Sequence, residues 1–474
     1  MRYFLAFVML IASSLAVAQA ASVSTLEDQT GVKVTVYNQN IGLVKDTRKL
    51  TLPSGQDELR FMDVAALIKP ETVHVKSLTA PERFSVLEQN YEYDLINRQK
   101  LLDKYVGQKV KLLHFNEYQD KTDTTEATLI SNNDGQVYQI NDEIYLGHPG
   151  EVILPKLPEN LIAKPTLTWL YDNGQAGAQD IEVSYITEGI NWKADYVLVV
   201  NKDDTLGDLS GWVTLTNQSG TTYKDASLKL VAGKVNVTSR QDFNRNGMVV
   251  EEMALARAAA PQFTEQGMFE YHLYDLQRKT TIKENQTKQI SLLEAKGATL
   301  VKEFLLTGQG SWWYTRYVDP SQTKQPVNVV MKVKNSEANH LGMPLPAGTV
   351  RLYKEDAAGS LQFIGEDVID HTPKDEELKL KVGEAFDIVA ERKQTSFQQL
   401  AGNIYESEWE ITLRNHKTED VTVAVVEPLM GFSNWEVLTS SLSYEKVDAS
   451  TIRFSVPVPK DGEVKLTYKV RLRI

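Results

Sequence analysis

Apolar and polar residues alternate one for one through most of this chain, and a two-residue period confines it to strands with one buried and one wetted face. The run SGWVTLTNQSGTTYKDASLKLVAG, Ser210 to Gly233, shows the pattern and its interruption. Val213 and Leu215 share a face opposite Thr214 and Thr216. Ala226, Leu228 and Leu230 then oppose Ser227 and Lys229. NQSGTT between them is rich in residues that tolerate positive φ, so it reads as a turn between two scaffold strands, with Leu215 and Leu228 inward on adjacent strands.

The same pattern recurs along the chain. VKVTVY, LVKDTRKLTL, DELRF and TVHVKSL fill residues 32 to 78. A short helix is expected at Arg98 to Tyr105, followed by VKLLHF, EATLIS, GQVYQI, IYLG and EVILP, five short strands with the turn NNDG at Asn132 to Gly135. Longer strands start at Pro165, and FSVPVPKDGEVKLTYKVRLRI near the end reads as a hairpin about Lys460, Asp461 and Gly462. The pattern apolar-x-apolar-x-Asn ends at Asn38, Asn201, Asn217, Asn335 and Asn415 with irregular spacing, which marks strand exits and excludes a solenoid.

The expected fold is mainly β: several antiparallel β-sandwich (Ig-like) units in tandem plus a small β-barrel-like insert near the N-terminus. At 474 residues the chain accommodates several domains. They are expected at 21–97 (N-terminal β domain), 98–155 (the barrel-like module), 156–309 (a sandwich with a mobile excursion at 240–267), 310–401 and 402–474 (two further sandwiches).

Residues 1–20, MRYFLAFVMLIASSLAVAQA, have Arg2, an apolar stretch and Ala18 and Ala20 at the exit, the pattern of a secretory signal peptide with a mature start at Ala21. The protein is therefore expected in the periplasm or the medium, with no transmembrane segment after cleavage. Zero Cys excludes disulfides and thiolate chemistry. The net charge of −12 and the lack of any long run of Lys and Arg argue against nucleic acid. The 98–155 module, with six basic and nine acidic residues, does not suit RNA either.

Motifs that carry chemistry are scarce. The His residues at 74, 114, 148, 272, 340, 371 and 416 form no HExxH and no helical pair, and no GxSxG or Walker sequence occurs. Asp242, Asn244, Asn246 and Gly247 match the first half of a Ca²⁺ loop, but position twelve is Met253, with Glu251 and Glu252 early, so a polar loop competes with a metal site. Trp312, Trp313, Tyr314 and Tyr317 in WWYTRY could stack on sugar rings or pack a junction. No cofactor is expected.

The strings FEYHLYDLQRKTTIKENQTKQISLLEA, MPLPAGTVRLYKEDAAGSLQFIGEDVIDHTP, GEAFDIVAERKQTSF and EWEITLRNH resemble bacterial exported proteins of the domain of unknown function 4139 family, from about Pro165 to Ile474. The resemblance implies a β-rich exported protein and no established activity, and it transfers no catalytic residue. The expected function is a non-enzymatic binding or structural protein of the bacterial cell envelope, partnered by an envelope protein or a glycan. The alternative is a carbohydrate-active hydrolase with paired carboxylates.

Overall fold

The computed structural model describes residues 22–92, 96–116, 121–148, 150–156, 164–233, 235–236, 262–309, 324–429 and 434–473. Strands dominate these residues. They form sheets of four, five, eight and thirteen strands, and none closes into a barrel. Most pairings are antiparallel. Four are parallel: Ser22–Ser24 with Gly55–Met62, Gln29–Tyr37 with Tyr223–Ala232, Ile190–Val200 with Gly348–Glu355, and Gln286–Thr307 with Val421–Pro428. Parallel neighbours need long crossovers, and alternation within a strand carries no information about them.

The Ser210–Gly233 stretch shows what alternation does and does not reveal. Leu215, Leu228 and Leu230 are all 0% exposed, in the largest core. The two strands are not adjacent, however. Leu206–Asn217 pairs with Ile190–Val200 and Gln286–Thr307, while Tyr223–Ala232 pairs with Gln29–Tyr37 and Tyr271–Leu276. The turn between them carries the chain from one sheet to another, and Asn217 holds it. Its Nδ2 donates to the carbonyls of Thr221, Ile282 and Lys283, and its Oδ1 accepts from the Ser219 amide and hydroxyl. Thr214, expected on a wetted face, is instead buried: its hydroxyl donates to Asp195 Oδ2 at 2.7 Å, within a cluster that also includes Lys193 and Arg351. That face is polar but covered, a state that residue type alone does not distinguish from a wet one.

Asn415 repeats the corner. It donates to Glu419, Val458 and Pro459 carbonyls and accepts from the Lys417 amide, where Ile404–Asn415 gives way to Val421–Pro428 in a different pairing set. The expected hairpin at Lys460 to Gly462 is corrected in the same way. Thr451–Val458 pairs with Val421–Pro428 and Tyr444–Asp448, whereas Gly462–Arg473 pairs with Ile404–Asn415 and Asn434–Ser440. Their apolar faces meet across a second core, Phe454 stacking on Tyr468 at 5.1 Å, because both strands have a full apolar face to bury and edge pairing would bring neither against the other.

The short helix forms at Arg98–Lys104, capped by Asn97, whose side chain accepts from the Lys100 amide. The five strands after it form one sheet in which Glu143–Leu146 and Glu151–Ile153 are opposite edges. The sheet stays open because these edge strands are short, and Leu102 and Tyr105 next to the sheet complete its small core. Phe84–Glu92 and Thr166–Asn173, on either side of this module, pair directly, with Thr166 opposite Glu92. The module therefore leaves and rejoins the fold at one point.

The largest core draws on residues from Val32 to Leu380, with Trp169 and Trp192 among its largest buried side chains. Each such side chain contributes about 1.5–3 kcal/mol by burial. Gln286–Thr307 links this core to the second. Ile290, Leu292 and Leu300 enter the first, and Phe304 and Leu306 the second.

A candidate anion-binding groove

The eight-stranded sheet has the strand order Phe263–Met268, Tyr271–Leu276, Tyr223–Ala232, Gln29–Tyr37, Ile41–Leu52, Gly177–Glu188, His74–Ser77, with Thr280–Ile282 pairing Tyr223–Ala232 off this path. Alternation sends Val32, Val34, Val36, Val44, Leu228 and Leu230 into the core. The opposite parity, Lys33, Thr35, Leu43, Lys45, Ser227 and Lys229, lines an open groove of about 490 Å³ on the outer face.

Residues 276–279, which follow the Tyr271–Leu276 strand, form one wall. The Gln277 amide donates to the Gln262 carbonyl at 3.0 Å and Arg278 Nε donates to Gln262 Oε1 at 2.9 Å, which fixes the wall against the next strand. Lys33, Lys45, Lys229, Arg278 and Lys279 line the groove with one acid, Asp275. Asp275 sits 3.2 Å from Lys229, and no ion pair to the other four cations occurs among the described residues.

Lys33 and Lys45 are directly opposite each other across antiparallel strands, and both are exposed. Like charges in that register cost stability, and here they do so on a chain with a net charge of −12. The cationic field extends beyond the groove. Burial, with Arg278 and Lys283 adding repulsion, pushes the Lys288 ammonium below the ordinary lysine value, and its Nζ donates to the Thr281 carbonyl at 2.6 Å and to Thr280 Oγ1. Chemically, five cations against one acid make the groove's electrostatic field favourable to negative charge. The lone carboxylate is paired with a lysine, so the groove lacks the two converging carboxyl groups of a glycoside hydrolase.

The described lining of this groove includes none of the site candidates drawn from the sequence, although the alternation puts Ser227 and Lys229 on an outward strand face. Trp312, Trp313, Tyr314 and Tyr317, and Asp242, Asn244 and Asn246, lie outside the described residues, as do residues 1–21. Among the described residues no group of three or more His, Cys, Asp or Glu side chains converges as a metal site would. His272 Nδ1 lies 2.8 Å from Glu265 Oε1, and the His114 and His148 rings meet edge-on at 6.2 Å. The groove lysines escaped a search for runs because each comes from a different segment. The available signal was parity: Lys33, Lys45 and Lys229 all occupy outward positions of strands whose inward positions are strongly apolar.

The family model described as Domain of unknown function (DUF4139) matches residues 181–473. The chain belongs to this family. No curated protein matches it. The DUF4139 segment supplies Ser227, Lys229, Asp275, Arg278 and Lys279, while Lys33 and Lys45 come from strands that precede it. The groove is therefore shared between the DUF4139 region and the N-terminal strands packed against it. Among the described residues no helix is long and apolar enough to cross a membrane.

Proposed function

We propose that this protein is a non-enzymatic binding protein of the bacterial cell envelope, exported to the periplasm or the medium, and that its groove holds an acidic glycan. The observation that carries the reading is the Lys33–Lys45 pair: two exposed like charges in register, with no ion pair among the described residues, in a groove lined by five cations on an acidic protein. A stability cost of this kind is expected where a ligand supplies the missing counter-charge. The groove is an open depression with residues 276–279 along one side, so it suits a chain that can lie in it better than the plane of a bilayer surface. Charge complementarity of this kind depends on salt.

The test is retention on immobilised polygalacturonate with neutral dextran as the control. The wild-type protein is expected to be retained on the acidic resin alone and to elute with rising salt. A Lys33→Thr/Lys45→Thr variant is expected in the flow-through. Equal behaviour on both resins, or full retention of the variant, would overturn the reading.

A further inference from the structure

The groove is the deep part of a longer polar row. Register places Ser227 beside Lys33, Lys33 opposite Lys45, Lys45 opposite Ser184 and Ser184 opposite His74, one residue from each of five consecutive strands. All five have the outward parity: their inward neighbours Leu228, Val34, Val44 and Val183 are buried, and Val75 packs on the core. At about 4.8 Å between strands, the row spans roughly 19 Å. The rows next to it are occupied differently. On one side Lys76 is tied to Glu182 at 2.9 Å, and on the other the row Lys229, Thr35, Leu43, Ile186 turns apolar toward its far end, which leaves the Ser227 to His74 row as the polar track across all five strands.

The geometry points to a glycan chain that lies across the strands, not along them, with its anionic groups on Lys33 and Lys45 and its far end on Ser184 and His74. This rests on the groove's binding an acidic glycan and adds the orientation, the length preference and two specificity residues outside the groove. Spacing is the reason for the direction. Neighbouring strands are separated by about the length of one sugar unit in an extended chain, so successive units meet successive side chains. Along a strand, every second residue faces inward. Ser184 and His74 contribute hydroxyl and imidazole hydrogen-bonding groups that a ligand confined to the lysine pair does not reach.

Calorimetric titration of the full-length mature protein with di- and pentagalacturonate tests this. The pentamer is expected to bind roughly tenfold tighter than the dimer, as the added hydrogen bonds would give. Ser184→Ala/His74→Ala is expected to remove most of that advantage and leave dimer affinity and the melting temperature unchanged, and His74→Gln alone to keep part of it. Two results overturn the inference while sparing the groove itself: equal wild-type affinity for the two oligomers, or an unchanged pentamer preference in the double variant. Failure of wild-type protein to bind either oligomer overturns the underlying reading instead.

Discussion

Parity decides what each side chain does in this fold, and substitutions at neighbouring positions should separate cleanly. Leu228→Ala is expected to cost about 2–5 kcal/mol, because a fully buried leucine leaves a cavity. Lys33→Thr, one strand away on the outer face, is expected to stabilise by a few tenths to about 1 kcal/mol by removing the repulsion with Lys45, while it weakens ligand binding. Chemical denaturation of the two variants checks the pair, and a Lys33→Thr variant less stable than wild type would remove the electrostatic argument for the groove. Asn217→Ala should cost at least about 2 kcal/mol, since it strips partners from three turn carbonyls at once. The inward positions, the Asn-terminated strand exits and the Lys229 parity were legible in the sequence. The burial of Thr214 was not, because its cover is Asp195, a side chain brought over it by a neighbouring strand.

Strands and the helix were readable one at a time, but their partners were not. The expected hairpin at Lys460 to Gly462 became a crossing between pairing sets, and Tyr223–Ala232 found a parallel partner nearly two hundred residues upstream. Local pattern sets the face a strand buries, and only the global packing sets its neighbour. The groove was illegible for the same reason, since its cations meet only once four segments are laid side by side. Gln286–Thr307 shows an element bridging two cores, and where it changes core its Glu303 is held by Lys332 at 2.9 Å and by Arg453. Burial alone would raise that carboxyl, but the hydrogen bonds from Lys332 and Arg453 bring it below the ordinary glutamate range. A lowered folded-state value means the contribution is present above the unfolded glutamate pKa and is lost as pH falls through the folded one. Melting temperature followed from neutral to acidic pH should therefore fall more steeply for wild type than for Glu303→Gln, and parallel curves would mean that the bridge contributes nothing.

At the scale of the molecule, one part of the fold is expected to be dispensable and another indispensable. Because Thr166 lies opposite Glu92, replacing residues 96–163 with a short hairpin turn should leave the melting of the remainder within a few degrees of wild type, as the module has its own core. The segment 181–473 alone should fail to fold, because Tyr223–Ala232 loses its parallel neighbour and the first core loses Val32, Val34, Val36 and Val44. Circular dichroism and solubility of the two truncations distinguish them. The groove needs the same intact assembly, since the lysine pair comes from one side of that boundary and Lys229, Arg278 and Lys279 from the other. The most direct measurement of its role is a calorimetric titration of polygalacturonate fragments into three proteins: wild type, Lys33→Glu/Lys45→Glu, and Lys379→Glu/Lys381→Glu, which makes the same charge change outside the groove. Binding through the groove predicts at least a roughly tenfold loss in the first variant and a change within about twofold in the second. Equal losses in both variants would show that net charge, and not this groove, governs the interaction, and would contradict the account.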